Sequence, residues 1–183
     1  MKKKIFTGIG IVVILFAVWV VYGLFFAPKP SPSKTTEFSA NGLDVKVVYS
    51  QPYKKGRLIF GEEKDGALQP YGKYWRLGAN EATEITFSKN INFGGKPVNA
   101  GTYRMYAVPN ATSWQVSLNS ELGVFFGVRE PNYDLDVAKV EVPTQTASSE
   151  TEQFVINFSN DSTIVNMDFV WDKALIRIPI IVQ

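Results

Sequence analysis

The stretch VNMDFVW at residues 165–171 decides the fold class, because apolar and polar side chains alternate along most of it. Successive side chains of a β-strand point to opposite faces of the sheet, so a period of two predicts a strand with one buried and one exposed face. Outward from this stretch, the same alternation recurs in Leu43–Tyr49, Glu84–Ser88, Tyr103–Ala107, Trp114–Leu118, Phe154–Phe158 and Ile176–Ile180.

Turn-forming residues separate these segments, among them FGGK at 93–96, PN at 109–110 and SND at 159–161. The region after residue 36 shows no sustained helical period. Short strands with such separators predict an all-β fold, either an antiparallel β-sandwich or a flattened barrel. Pro179 cannot donate to a strand ladder, which predicts that the last strand lies at a sheet edge.

The composition limits the chemistry. The 183 residues include no cysteine and no histidine, which excludes thiol nucleophiles, thiolate metal sites and imidazole-based triads. Carboxylate, lysine and tyrosine chemistry and oxygen-ligated cations remain. We therefore predict no cofactor and no metal. The lack of histidine and cysteine favours a binding protein over an enzyme, and both classes stay open.

The N-terminus has the pattern of a membrane anchor. The lysines Lys2–Lys4 precede Ile5–Phe26, a run of 22 uncharged residues, which as a helix would span about 33 Å against a hydrocarbon core of about 30 Å. Since lysines favour the cytoplasmic side, we predict a cytoplasmic stub at 1–4, a single-pass inner-membrane helix at 5–26 and a domain in the periplasm or outside the cell. The alternative is a removed signal peptide, for which Phe25–Pro28 is a poor cleavage sequence.

Residues 27–36 are rich in proline and serine, a composition that favours extended polyproline II and predicts a linker. The folded domain is then predicted over residues 37–183. Residues 1–34 hold five lysines and no acid, whereas residues 35–183 hold 14 basic and 17 acidic residues, a net charge of −3. Because nucleic-acid binders carry a basic surface, this balance argues against a nucleic-acid partner.

Four motifs follow one another along the domain: YSQPYKKGRLIFG at 49–61, PYGKYWRLGANEAT at 70–83, GGKPVNAGTY at 94–103 and WQVSLN at 114–119. In this order they resemble the pattern of the domain of unknown function 2911 family, over roughly residues 43–179. The resemblance implies a secreted or envelope protein of Bacteroidota-like bacteria and no established activity. Family members usually carry a cleaved or lipoprotein signal, and a Trp-Gly pair often follows the fourth motif; here an anchor-like run and GVFFG at 123–127 stand instead.

Three charged residues of these motifs, Arg57, Arg76 and Glu81, are the first candidates for a site. Two guanidinium groups could grip a carboxylate or a phosphate, while Glu81 orients one of them or acts as a base. Alternatively, these residues form a structural ion pair that ties irregular loops to the strands.

Two further residues complete the candidate site. Trp75 offers an aromatic platform for a sugar or packs in the core. Asn80 contacts a ligand or shapes a turn before the next strand, since Asn suits tight turns. Polar and aromatic groups concentrate between residues 51 and 81, where the strand period lapses. The predicted ligand-binding residues are therefore Arg57, Trp75, Arg76, Asn80 and Glu81.

Two groups of acidic residues could suggest a further site, and we interpret neither of them as one. Asn132, Asp134 and Asp136 lack the glycine and the distal glutamate of an EF-hand, so we interpret them as a solvated turn. Glu81 and Glu84 would point to opposite faces if they shared a strand, which makes them a poor pair for glycoside hydrolysis.

These patterns predict a membrane-anchored, extracytoplasmic module that is non-catalytic and that binds a glycan, an acidic small molecule or a protein partner, or has a structural role in the envelope. The alternative is a hydrolase or lyase that uses carboxylate or tyrosine groups on envelope or imported carbohydrate. A pocket with two carboxylates at hydrolytic spacing would favour the enzyme.

Overall fold

The computed structural model describes residues 2–26, 30–124 and 127–183. The chain divides into a unit that ends at Pro30 and a second unit, Ser31–Gln183. The first unit contains the helix α1 (Lys2–Phe25). Within the described residues, we find no helix with both the length and the apolar character needed to cross a membrane. The N-terminal helix is confirmed, and the membrane anchor stays a prediction.

The second unit consists of strands, with two short 3₁₀ helices at Glu63–Asp65 and Tyr133–Leu135. The strands are β1 (Ser33–Ala40), β2 (Leu43–Ser50), β3 (Phe60–Gly61), β4 (Gln69–Pro70), β5 (Thr83–Phe87), β6 (Ile91–Phe93), β7 (Lys96–Val98), β8 (Gly101–Pro109), β9 (Ser113–Asn119), β10 (Asp136–Pro143), β11 (Gln145–Asp161) and β12 (Ile164–Val182).

The strands form two larger antiparallel sheets. One has six strands in the order β1-β2-β5-β8-β9-β10, and the other has four in the order β11-β12-β6-β7. A small parallel pair, β3 and β4, lies in the connection between β2 and β5. Alternate residues of both larger sheets enter one buried apolar cluster, for example Ile85 of β5 and Phe169 of β12. The predicted antiparallel β architecture is confirmed.

The predicted linker only partly coincides with a connection. Residues 27–29 lie outside the described residues, and β1 begins at Ser33, before the predicted domain start at Glu37. Every second residue of β1 is half-buried, because the strand pairs with the whole of β2. The first strand therefore begins inside the segment that the sequence analysis predicted to be a linker.

The prediction that the last strand lies at an edge is wrong for β12 as a whole, because β12 lies between β11 and β6. The reason is its length. Its pairing with β11 reaches Leu175, and its pairing with β6 begins at Ile180. Pro179 stands between these two ladders, where its carbonyl accepts a hydrogen bond of 2.9 Å from the Gly94 amide in the β6–β7 turn.

One strand departs from simple alternation. On β8, Met105 and Ala107 enter the apolar core, yet Arg104 and Tyr106 on the opposite face are also fully buried. A second layer therefore covers that face. It is the segment between β9 and β10, which we call the strap (residues 120–124 and 127–135).

Candidate functional site

The second motif crosses the end of β8. Trp75 and Ala107 exchange two backbone hydrogen bonds of 2.8 Å in an antiparallel bridge. Residues that face each other in such a bridge share one side of the sheet, and their neighbours take the other side. Trp75 therefore points into the core with Ala107, and Tyr74 and Arg76 lie on the outer side with Tyr106.

Trp75 is a core residue in this structure. Its side chain is buried, and its indole nitrogen donates a hydrogen bond of 3.0 Å to the Gly78 carbonyl. The ring packs within 6 Å of four other aromatic rings, those of Phe60, Trp114, Phe154 and Trp171. This environment matches the packing alternative of the sequence analysis.

The residues after Trp75 form a tight turn. Leu77 and Asn80 have left-handed backbone angles, with φ of 52° and 59°. The Asn80 amide donates to the Ser31 carbonyl at 3.1 Å, and the Thr83 hydroxyl donates to the Leu77 carbonyl at 2.7 Å. Asn80 therefore shapes this turn, while its half-buried side chain stays near the outer surface.

Arg57 supports its own turn. The side chain is exposed, and its guanidinium donates to the carbonyls of Lys54, at 2.9 Å, and of Tyr53. Both acceptors are main-chain atoms within four residues. These contacts hold the turn at residues 53–57, and neither of them is the ion pair that the sequence analysis gave as the alternative.

Arg76 and Glu81 are half-buried, and each takes part in an interaction within the protein. Glu81 and Glu84 both line an open groove of about 330 Å³, together with Val48, Ala82, Gly123 and Val124. Glu81 precedes β5, so the rule that separates residues three apart on one strand does not apply to this pair. The condition of the sequence argument, a shared strand, is therefore not met, and the poor suitability of this pair for glycoside hydrolysis stays a prediction.

Sequence reasoning missed a buried polar cluster beneath the strap. At its centre, Arg104 is fully buried, and its guanidinium contacts the Glu121 carboxylate at 3.1 Å. A second nitrogen donates to the Tyr74 hydroxyl at 2.7 Å and to the Arg129 carbonyl at 2.6 Å. Nε of Arg104 has no partner in the described part of the chain.

A second branch of the cluster surrounds Asp136. The Tyr106 hydroxyl donates to this carboxylate at 2.7 Å, and the Asn119 amide donates at 2.8 Å. Burial, followed by the bond to Asp136, raises the pKa of Tyr106 well above its usual value. Burial and the nearby Glu130 raise the pKa of Tyr133 to about 12.

The Asn132, Asp134 and Asp136 pattern has a structural explanation. Asn132 accepts a bond of 3.1 Å from the Asp134 amide at the start of the 3₁₀ helix, and Asp136 is occupied by Tyr106 and Asn119. Over residues 2–26, 30–124 and 127–183, no group of three or more acidic side chains could hold a metal ion. The turn interpretation agrees with the contacts of Asn132 and Asp134, whereas Asp136 begins β10 and its carboxylate faces protein donors instead of solvent.

The cluster and the groove differ in accessibility. The Glu121 and Asp136 carboxylates accept hydrogen bonds from protein donors. Glu81 and Glu84 line an open groove, and Glu81 also interacts within the protein. The cluster therefore holds the strap against β8 and β9, and a ligand has access to the groove. One sequence signal does point to the cluster, because the strand period lapses between Asn119 and Asp136.

Fold and site together define a two-sheet β domain with a strapped polar outer face and an adjacent surface groove. The model of the domain of unknown function 2911 family matches residues 31–180, and the chain belongs to this family. No curated protein and no solved structure matches the chain.

Proposed function

We propose that the domain is a non-catalytic binding module of the cell envelope, and that it takes a neutral glycan in the groove between Glu81, Glu84 and the strap. The observation that carries the proposal is that Glu81 and Glu84 line the same open groove. Carboxylates accept hydrogen bonds from sugar hydroxyls, and Val48 provides an apolar contact for a sugar ring.

The charge in the groove also favours some of the ligand classes that the sequence analysis left open over others. An acidic ligand in the groove would lie near Glu84, whose carboxylate repels it. Of the predicted residues, Glu81 lines the groove, Asn80 and Arg57 hold turns, and Trp75 packs in the core. The N-terminal segment would tether the domain to the inner membrane on its extracytoplasmic side.

A thermal-shift screen followed by calorimetry tests the proposal on neutral and uronic-acid oligosaccharides. We expect neutral oligosaccharides to stabilise the parent protein, since a ligand that binds only the folded state raises the melting temperature. Glu84→Gln should weaken binding about tenfold, because a hydrogen bond to a charged group contributes about 1.5 kcal/mol. Glu63→Gln, a change in the exposed 3₁₀ helix, is the matched control.

Stabilisation by uronic acids alone, or equal binding by the Glu84 and Glu63 variants, would refute the glycan groove. The alternative function, a carboxylate-based hydrolase or lyase, would draw its two carboxylates from the same groove. Release of new reducing ends from a bound oligosaccharide, and its loss in Glu84→Gln, would favour the enzyme over the binding module.

A further inference from the structure

Glu121 joins parts of the chain that are otherwise distant. Its backbone amide donates to the Asn119 side chain at the end of β9, at 2.8 Å. Its carboxylate accepts bonds from Arg104 of β8, at 3.1 Å, and from the Asn132 amide, at 3.2 Å. The Arg129 guanidinium also donates to it. One side chain thus ties both halves of the strap to each other and to the sheet.

The strap is also held near the start of β5. The Tyr74 hydroxyl donates to the Gly127 carbonyl at 3.0 Å. Gly127 packs so closely on the start of β5 that a Cβ there would lie 2.7 Å from the Ala82 nitrogen. The strap is therefore attached at Gly127 as well as through Glu121.

Between these two attachments in the sequence lie Gly123 and Val124, and both line the groove together with Glu81 and Glu84. Their position relative to the sheet depends on where the strap is held. We propose that Glu121 is a positioning residue that sets this wall of the groove and thereby shapes the ligand site. The effect of Glu121 on ligand binding rests on the proposed function. Its effect on the strap can be measured without a ligand.

The first experiment measures amide hydrogen exchange on the full chain without ligand. Glu121→Gln removes the charge that binds two guanidinium groups, so we expect exchange in peptides covering residues 120–135 to accelerate at least tenfold, with β8 and β9 unchanged. The matched control is Glu130→Gln, because Glu130 is an exposed carboxylate of the same strap that accepts a hydrogen bond from the Tyr133 hydroxyl. Equal exchange in the parent and Glu121→Gln would overturn the inference.

A second variant covers the case in which Glu121→Gln loosens the whole domain. Arg129 is exposed, so Arg129→Gln removes one partner of Glu121 without leaving a buried cavity. We expect the same local acceleration, at a smaller size. If Arg129→Gln leaves strap exchange unchanged while Glu121→Gln unfolds the domain, Glu121 serves stability alone and the inference fails.

The second experiment measures the dissociation constant of the neutral oligosaccharide that the parent binds best. We expect Glu121→Gln to weaken binding at least fivefold, and Glu130→Gln to leave it unchanged. Unchanged binding despite a loosened strap would overturn the positioning role. If no oligosaccharide binds the parent, the proposed function fails, and the exchange data still decide whether Glu121 holds the strap.

Discussion

At the scale of single residues, the turn after Trp75 shows why the second motif contains glycine. Gly78 has a φ of 155°, and a Cβ at this position would lie 2.8 Å from the Ser50 carbonyl oxygen. This oxygen belongs to the main chain of a paired strand, so moving it away would disturb the strand pairing. Both the backbone conformation and the close approach therefore require glycine here.

Gly78→Ala should destabilise the domain by more than about 2 kcal/mol, because it combines backbone strain with a clash against the main chain. Gly72→Ala is the control, since Gly72 also has a positive φ but no atom within 4 Å of a Cβ. Urea unfolding of both variants separates clash from strain. Equal losses would show that close packing at Gly78 contributes nothing.

Two arginines that look alike in the sequence should differ strongly in their effect on stability. Arg104→Ala leaves Glu121 and the Tyr74 hydroxyl without their buried partner, so we expect a loss of about 3–5 kcal/mol. Arg57→Ala removes bonds to exposed main-chain carbonyls and should cost about 0.5 kcal/mol. Denaturant unfolding of the two variants checks the contrast. A sharp loss with Arg57→Ala would instead assign that residue a buried role.

At the scale of elements, the strap should depend on pH through Glu121. The bond from Arg129, followed by the bond from the Asn132 amide, lowers the pKa of Glu121. The folded protein therefore binds this proton less readily than the unfolded chain does. The stabilisation is complete above the unfolded-state pKa of about 4.3 and is lost as pH falls through the lower folded-state value.

The parent and Glu121→Gln should accordingly differ in their free energy of unfolding at neutral pH and converge as the pH falls below about 4. Urea titrations at a series of pH values measure this difference. The Glu130→Gln variant is carried through the same series as a control. A difference that stays constant down to the acid limit would show that the Glu121 charge does not hold the strap.

At the scale of the whole molecule, the predicted anchor and the folded unit can be tested separately. We expect the full chain to resist carbonate extraction from membranes, because Ile5–Phe26 is uncharged. Recovery of a soluble species truncated near Ala27 would restore the signal-peptide alternative.

The folded unit gives the complementary measurement. A fragment of residues 31–183 should be soluble and show a β-dominated far-UV spectrum, since β1 begins at Ser33 and the unit has its own core. This unit, Ser31–Gln183, does not include residues 1–30. Loss of the β signal on removal of residues 1–30 would contradict the division of the chain into two units.

Much of this architecture could be predicted from the sequence, because the information is local. A period of two in VNMDFVW and its counterparts reports which face of a strand is buried, and four ordered motifs identify the family. The turn at Asn80 is also local, since the residues that form it are adjacent. The candidate site was only partly predictable: Glu81 lines the groove, while Trp75 belongs to the core.

The buried outer face of β8 was decided by the tertiary structure alone. Arg104 stands at a polar position of an alternating strand, which in an isolated sheet would face water. Its burial comes from the strap, whose residues Glu121 and Arg129 are distant in sequence. The strands and the family thus follow from local sequence patterns, because these depend on neighbouring residues. The groove depends on how a later connection folds back over the sheet, and strand periodicity carries no information about such a long-range contact.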